Sequence, residues 1–381
     1  MLERLASLRQ YSPLRSHDDS EYSKPNGGRY LEWFALRRVR TALAALIALV
    51  LFLSLTFIFH VPARIHPLND AHPITIAEPG LKINWTDFAY VQYVTNGNYL
   101  CNSLMILEAL HRYGTKADRI MMYPEDWTVP GGEEHLTDVS FESRLLAKAR
   151  DFYGTKLVPV KLQTFSRGDP TWKDSYTKLL AFNQTQYKRL ISLDSDATVQ
   201  DHMDELFLSP SAPVAMPRAY WLDQPFLSSQ LVLLEPSQRE WHRIEEFMNR
   251  DDSGFDMDIL NTLYKDSCLI LPHRRYNIIT GELRGSDHSK YLGSTAETWN
   301  GSKVFQEAKF VHFSDWPVPK PWLKAPDALR EEHQPKCVDN KGGQVPDCTD
   351  RDLWLRLYED FSERRQVSLH NWSFRHAQTY M

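Results

Sequence analysis

The sequence predicts an α/β fold with a mainly parallel central sheet. Apolar strand-like runs alternate with helical segments over most of its 381 residues, at the spacing typical of such sheets. One of these runs, 189–193 ("RLISL"), leads directly into two carboxylates, Asp194 and Asp196. Open α/β sheets bind their ligands beyond such strand ends. With 42% hydrophobic and 24% charged residues, the chain can also bury a full core.

The predicted elements follow one another in a regular order after residue 87. The apolar run 88–94 predicts the first strand, and 98–114 predicts a helix that Gly114 ends. This succession indicates crossover connections between parallel strands. Further strands are predicted at 119–123, 156–162, 189–193 and 230–236, and further helices near 140–152, 172–185, 239–250 and 350–364.

One apolar segment departs from the globular average. Residues 41–59 carry no charge, and as a helix they would be about 28 Å long, close to the roughly 30 Å hydrocarbon core of a bilayer. Arg37, Arg38 and Arg40 precede the segment and the first charge after it is Arg64, which predicts a cytosolic amino end. A cleaved signal peptide is the alternative, but the run starts some forty residues in and lacks a small-x-small cleavage site.

The chain divides into five predicted segments. A polar cytosolic tail (1–40) precedes a transmembrane signal anchor (41–60). Recurring prolines over 61–82 indicate an extended stem. The alternating pattern places the folded domain at 83–325, and the irregular, charged remainder (326–381) is predicted to be a C-terminal appendage.

Two features agree with a lumenal main body. Cys337 and Cys348 flank a polar loop, which an oxidising compartment would allow them to close as a disulfide. Cys101 and Cys268 stand in apolar surroundings and are predicted to be buried thiols, and the lack of a C-x-x-C pair argues against a zinc site. The second feature is a set of N-x-S/T sequons, which are acceptors for glycosylation. They begin at Asn84, Asn183, Asn300 and Asn371.

The triplet Asp194-Ser195-Asp196 is the strongest candidate for a metal site. Two carboxylates one residue apart at a strand end can converge on Mg²⁺ or Mn²⁺ and leave coordination positions for a diphosphate. Two other D-x-D triplets begin at Asp256 and Asp350, but only the first triplet directly follows a strongly apolar strand. A solvated turn after the strand is the alternative interpretation.

The stretch 178–207 ("KLLAFNQTQYKRLISLDSDATVQDHMDELF") resembles the glycogenin-like nucleotide-sugar glycosyltransferases of family 8. The blocks of that family recur in order over 88–325. Among its membrane-anchored members, fungal Golgi N-acetylglucosaminyltransferases look most similar, because of the single anchor, "LDSDATV" and "HFSD". The resemblance implies a GT-A fold, which is a Rossmann-like nucleotide-sugar-binding domain, behind one transmembrane helix, and transfer with retained anomeric configuration.

Three residues of the block "VTNGNY" (94–99) are implied to bind the nucleotide. The block is similar to the family's first strand and its T-N-x-x-Y turn. By that match Thr95, Asn96 and Tyr99 contact the uridine, with Tyr99 able to stack on the base. The residues alone also allow a plain helix N-cap at Asn98.

The block "KFVHFSDWPVPKPW" (309–322) is similar to the family's V-V-H-F…K-P-W segment. The match implies that His312 is a third metal ligand beside Asp194 and Asp196, and that Lys320 pairs with the diphosphate. A histidine after a strand is otherwise most often a hydrogen-bonded core or surface group.

Two intermediate blocks concern the sugar. In "FLSSQLVLLEPS" (226–237), Ser229 and its neighbour Ser228 would border the donor sugar, while Gln230 replaces the family's glycine. This departure means either a hydrogen bond to the sugar or a narrower pocket. The block "GFDMDILN" (254–261) implies that Asp256 lies near the reactive face of the sugar, as a nucleophile or as an orienting group. Lys178 is expected near the donor phosphates or sugar.

The expected function is transfer of a sugar from a UDP donor to a glycan acceptor, with Mn²⁺ or Mg²⁺ as cofactor. UDP-N-acetylglucosamine is the favoured donor, and glucose or galactose are alternatives. The anchor predicts a single-pass type II protein of the Golgi membrane with a lumenal catalytic domain. Two other functions are alternatives. One is a non-catalytic module that binds a nucleotide sugar or a glycan, and the other is a metal-dependent phosphodiesterase. Nucleic acid is not an expected partner, because the net charge is −5.

Overall fold

A computed structural model describes residues 82–131, 139–163, 175–250, 254–339 and 345–370. The predicted tail, the anchor, nearly all of the stem and the sequon at Asn371 lie outside these residues and stay predictions. Over the ranges that are described, no helix is both long enough and apolar enough to span a membrane.

The fold is built on a seven-stranded sheet with the strand order β3-β2-β1-β4-β7-β6-β8. Neighbouring strands run parallel except at β7, which is antiparallel to both β4 and β6. The predicted α/β class and mainly parallel sheet are therefore confirmed. The strands are β1 (Phe88–Tyr93), β2 (Asp118–Pro124), β3 (Lys156–Val160), β4 (Arg189–Leu193), β6 (Val214–Pro217), β7 (Leu231–Leu234) and β8 (Leu269–Leu271).

A second sheet has three strands, and the first of them follows β4 in the sequence. It has the order β5-β10-β9, with β5 at Ala197–Val199, β9 at Ile278–Ile279 and β10 at Phe310–His312. Strand β10 is antiparallel to β5 and parallel to β9. The pairing of β10 with β5 thereby brings residues 310–312 beside residues 197–199, which directly follow the acidic triplet.

The helices cover the sheets and form the C-terminal part of the described chain. The segment predicted as a helix over 172–185 is a 3₁₀ helix at Ser175–Asn183 in its described part. The pattern of apolar residues alone does not distinguish an α-helix from a 3₁₀ helix, since both can bury a short run of side chains. The α-helices are α1 (Gly97–Arg112), α2 (Phe141–Tyr153), α3 (Gln238–Arg250), α4 (Asp256–Tyr264), α5 (His273–Tyr276), α6 (Ser289–Leu292), α7 (Gly301–Glu307), α8 (Asp327–His333) and α9 (Thr349–His370).

Both faces of the central sheet are buried. On one face, Leu190 of β4 belongs to a core shared with Leu179 of the 3₁₀ helix and Ile259 of α4. On the other face, Ile191 packs in a core with Ile106 of α1. Alternate residues of a strand point to opposite faces, so the apolar run of β4 serves both cores. Each such side chain contributes roughly 1.5–3 kcal/mol when fully buried.

Helix α9 shares a core with the second sheet. Trp354 and Phe361 of α9 are almost completely buried and belong to the same hydrophobic cluster as Val311 of β10 and Phe313. The described part of the segment 326–381, which was predicted to be an appendage, thus contributes to the interior of the domain.

The predicted disulfide is present between Cys337 and Cys348. Val338 and Asp347 exchange two backbone hydrogen bonds inside the loop that it closes. Cys101 is buried as predicted, whereas Cys268 is only half-buried, because it precedes β8 at the edge of the sheet.

Replacing both Cys337 and Cys348 with serine is expected to lower the free energy of unfolding by about 2–3 kcal/mol. The disulfide joins residues 11 positions apart and so restricts the unfolded chain. Thermal unfolding with and without reductant measures the effect. Reductant should lower the melting temperature of the wild type and leave that of the double variant unchanged; a wild type that is insensitive to reductant would contradict this account.

Candidate active site

The candidate site lies at the carboxyl edge of the central sheet. Strand β4 ends at Leu193, so Asp194 and Asp196 stand in the turn that leads to β5. Strand β1 runs parallel beside β4 and ends at Tyr93. Both strands therefore end at the same edge of the sheet, which is where the sequence predicted a ligand.

The second sheet brings His312 to the acidic triplet. In the antiparallel pairing of β10 with β5, His312 lies opposite Ala197, and Phe313 N donates to the carbonyl of Asp196 at 2.9 Å. The Nε2 atom of His312 lies 3.0 Å from Oδ1 of Asp196 and 4.0 Å from Oδ2 of Asp194. The structure thus unites the three residues implied to be metal ligands.

These three side chains fit a single divalent cation. One ligand atom from each of Asp194, Asp196 and His312 lies within 4.8 Å of the other two. Carboxylate oxygens suit Mg²⁺ and Mn²⁺, and an imidazole nitrogen is a common further ligand of transition metals. The Nδ1 atom of His312 is buried and has no hydrogen-bond partner among the described residues, so Nε2 is the nitrogen turned toward the carboxylates.

Two lysines form ion pairs with the carboxylates of this site. Lys178 Nζ lies 2.6 Å from Asp194 Oδ1 and 3.3 Å from Asp256 Oδ2. Lys320 Nζ lies 2.6 Å from Asp196 Oδ2. Three carboxylates thus face two ammonium groups, which leaves one negative charge uncompensated when His312 is neutral. This excess favours a cation in the cleft.

Burial and neighbouring charges set the pKa values of this cluster. Burial raises the pKa of Asp194 to about 6, although Lys178 acts in the opposite direction. Burial also raises the pKa of Asp196, but the interactions of its carboxylate with His312 and Lys320 outweigh burial, and the net pKa is lowered. For Lys178, burial lowers the pKa, and the carboxylates of Asp194 and Asp256 more than offset this, so that the ammonium form is stabilised.

The residues implied to border the sugar lie around Lys178. Asp256 is the first residue of α4, and its carboxylate reaches Lys178 as described above. The carbonyl of Ser229 accepts a hydrogen bond from Lys178 Nζ. Ser228 is completely buried, and its hydroxyl donates to Asn277. Of the two serines, only Ser229 is therefore in contact with the charged cluster.

The carbonyl of Gln230 accepts a hydrogen bond from the backbone of Asp194 at 2.9 Å. Because Leu193 pairs with Leu231 in the antiparallel ladder, Gln230 is the cross-strand neighbour of Asp194. The Gln230 side chain is 5% exposed. The structure therefore places Gln230 directly at the candidate metal site.

The predicted nucleotide-binding turn opens helix α1. The N-cap is Asn96, whose side chain accepts hydrogen bonds from the backbone of Asn98 and Tyr99, so the alternative of a cap at Asn98 is wrong by two residues. Asn96 is exposed, and Thr95 and Tyr99 are half-buried. The ring of Tyr99 packs edge-on against Trp322 at 5.9 Å between centroids, which ties this turn to the segment carrying Lys320.

Sequence reasoning missed two contributors to the site. Burial, followed by the charges of Asp194, Asp256 and Asp196, raises the pKa of Tyr93 well above its ordinary value, so this phenol lies among the acids. The position of Tyr93 at the end of a strand parallel to β4 was an available signal.

Arg365 of α9 donates to the backbone and side chain of Asn98 at 3.0 and 2.9 Å. No local pattern points to a contact between residues 267 positions apart.

Two named fungal proteins show the family to which this chain belongs. A protein of Gibberella zeae named glucose N-acetyltransferase 1 is 50% identical over 294 residues, which cover 74% of this chain and 63% of that protein, less than two thirds of its length. A protein of Aspergillus fumigatus with the same name is 45% identical over 304 residues, covering 75% of this chain and 78% of that protein. The chain belongs to this family of fungal glucose N-acetyltransferase 1 proteins.

Family models and solved structures do not extend this family assignment. No protein-family model matches the chain. The glycosyltransferase GlyE of Streptococcus pneumoniae is similar in structure with a TM-score of 0.46 and 15% sequence identity, over 75% of this chain and 63% of that chain. A likeness at this level carries no argument about function.

Replacing Lys178 with methionine is expected to lower the free energy of unfolding by about 3 kcal/mol in metal-free buffer. The substitution leaves Asp194 and Asp256 without their buried counter-ion. Lys320→Met is the matched control and should cost less, because the side chain of Lys320 is 27% exposed and that of Lys178 only 3%. Urea unfolding in the presence of a chelator compares the two variants, and equal losses would argue against a special role for the buried lysine.

Proposed function

We propose that this protein is a metal-dependent retaining glycosyltransferase that moves N-acetylglucosamine from a UDP donor to a glycan acceptor. The observation that carries the proposal is the convergence of Asp194, Asp196 and His312 beside Lys178 and Lys320 in one cleft. The same cleft would serve a glucosyltransferase or a galactosyltransferase, which are the alternative activities.

The names of the fungal relatives support the choice of sugar. These names contain the words glucose and N-acetyl, and N-acetylglucosamine is the glucose derivative in which an N-acetyl amino group replaces one hydroxyl. The resemblance to the glycogenin-like family supports a UDP donor and retention of anomeric configuration. A protein that binds the nucleotide sugar without turning it over remains the contrasting candidate.

Breaking the bond between the anomeric carbon and the diphosphate leaves negative charge on the departing oxygens. Asp194, Asp196 and His312 would hold Mn²⁺ or Mg²⁺, and a bound divalent cation stabilises such charge. Lys320 lies 2.6 Å from Asp196, and its partly exposed ammonium group would pair with the diphosphate as a second positive charge.

Lys178 and Asp256 would act on the side of the sugar. The ion pairs of Lys178 fix the orientation of the Asp194 and Asp256 carboxylates relative to each other. Asp256 would then face the anomeric centre, either as a transient nucleophile or as the group that orients the acceptor hydroxyl. Thr95, Asn96 and Tyr99 would bind the uridine, with Trp322 holding the ring of Tyr99 in place.

A panel of UDP-sugars tests the proposal. The domain that starts after the predicted anchor is incubated with Mn²⁺ and each donor, with and without a mannose-rich acceptor, and UDP release is measured. Release that is strongest with UDP-N-acetylglucosamine and increases with the acceptor is the expected result. Nucleotide-sugar binding without release would favour the binding module, and release with glucose or galactose donors alone would change the assigned sugar.

Asp194→Asn is expected to lower turnover by roughly 10²-fold or more at saturating Mn²⁺, because it removes one charged ligand and weakens stabilisation of the leaving group. The folded state should persist, which circular dichroism checks. Asp352→Asn is the matched control, since Asp352 belongs to another D-x-D triplet and is exposed on α9. Turnover close to that of the wild type in Asp194→Asn would rule out the metal assignment.

We also propose that residues 41–60 anchor the protein in the Golgi membrane with the described domain in the lumen. The support consists of the uncharged segment with its preceding arginines, the disulfide between Cys337 and Cys348, and three sequons whose asparagines are exposed. These asparagines are Asn84, Asn183 and Asn300.

Protease treatment of intact microsomes measures this topology. The domain is expected to resist digestion until detergent is added, and glycosidase treatment should increase its electrophoretic mobility. Digestion without detergent would place the domain on the cytosolic side and contradict the anchor orientation.

A further inference from the structure

Gln230 has a buried amide oxygen that lacks a partner among the described residues. Its Oε1 atom is buried and has no hydrogen-bond partner among the residues that the structure describes. A buried amide oxygen without a partner costs about 1–3 kcal/mol, so such groups are rare unless they meet a ligand, an ion or water. Only the backbone of Gln230 is engaged within the sheet, through its carbonyl and the backbone of Asp194.

The side chain of Gln230 lies on the same face of the sheet as the carboxylate of Asp194. The two residues are directly opposite in the antiparallel pairing of β4 with β7, and opposite residues point to the same face. Lys178 lies over that face as well, since it contacts both Asp194 and the carbonyl of Ser229. The unpartnered amide oxygen therefore belongs to the cross-strand neighbour of Asp194, beside the charged cluster.

We infer that the Gln230 amide recognises the acetamido group of an N-acetylated donor sugar. This inference rests on the proposed function and specifies its substrate. A carboxamide carries N–H donors and one carbonyl acceptor, and an acetamido group offers one N–H donor and one carbonyl acceptor. The two groups can form paired hydrogen bonds. Rotation about the last torsion of the glutamine exchanges its oxygen and nitrogen, so either amide atom can be presented to the cleft.

A hydroxyl group at the same position of the sugar is a poorer partner. It provides a single atom and can satisfy only one end of the amide, which leaves the other end buried and unpaired. Sites built to form hydrogen bonds reject analogues that lack the bonding group more strongly than apolar pockets do. Gln230 would therefore select N-acetylglucosamine over glucose.

The second function considered for Gln230, narrowing of the pocket, predicts a different outcome. Methionine has nearly the volume of glutamine but cannot form these hydrogen bonds, whereas glycine removes both volume and bonding. If Gln230 acts by bonding, Gln230→Met should lose donor selectivity. If it acts only by volume, Gln230→Met should keep the selectivity and Gln230→Gly should change it.

The test compares kcat/KM for UDP-N-acetylglucosamine and UDP-glucose in the wild type, Gln230→Met and Gln230→Gly. We expect the ratio of the two values to fall about tenfold or more in Gln230→Met. The matched control is Gln92→Met, because Gln92 is also a buried glutamine with an unpartnered Oε1, but on the opposite face of the sheet, where its Nε2 donates to the carbonyl of Leu193. Its donor ratio should not change. An unchanged ratio in Gln230→Met, or equal losses with both donors, would overturn the inference.

Equilibrium binding to the wild-type protein provides a measurement that needs neither turnover nor a substituted protein. UDP-N-acetylglucosamine should bind about tenfold or more tightly than UDP-glucosamine and UDP-glucose with Mn²⁺ present. Equal affinities would overturn the inference even if transfer is observed. Absence of transfer with every donor would instead count against the proposed function, while selective binding of the acetylated donor would still support the role of Gln230.

Discussion

The site depends on the burial of three carboxylates at one edge of the central sheet. Asp194, Asp196 and Asp256 cannot share a partly dry cleft unless positive charge compensates them, because unpaired buried charges cost several kcal/mol each. Lys178 and Lys320 supply positive charge through their ion pairs with these acids. The two lysines are not equivalent, since Lys178 is almost completely buried and bridges two acids, whereas Lys320 is more exposed. Lys320 is therefore the lysine that can more readily leave its carboxylate for a ligand.

Helix α9 contacts three of the segments that contribute to the site. Arg365 bonds to Asn98 in the predicted nucleotide-binding turn, and Arg364 donates to Thr198 of β5 at 3.0 Å, just after the acidic triplet. Tyr358 donates to Asp315 at 2.7 Å, in the loop between His312 and Lys320. Segments that are distant in sequence are thus held by one helix, and their side chains are positioned before a ligand arrives, which lowers the cost of binding.

The sequence allowed prediction of those features that depend on local pattern. The apolar run of β4 and the acids that follow it predicted both a central strand and a ligand site, and the loop between Cys337 and Cys348 predicted the disulfide. The sequence did not show the direction of each strand, because an apolar run such as 231–234 is equally compatible with a parallel and an antiparallel strand. The cap at Asn96 rather than Asn98 reflects the usual uncertainty of helix starts, where several asparagines can accept the same backbone N–H groups.

The features that the sequence did not predict depend on contacts between residues that lie far apart in the sequence. The residues alone could not show that His312 would lie 3.0 Å from an acid 116 positions away; the family resemblance implied it, and the pairing of β10 with β5 brings it about. Nothing in the pattern of α9 indicated Arg365, because an arginine on a charged helix is ordinarily solvated. Gln230 differs from the glycine of similar proteins, but the sequence does not show that β7, which begins at the next residue, runs antiparallel to β4. That direction sets the amide opposite Asp194, where an unpaired polar group is costly unless the cleft receives a polar ligand.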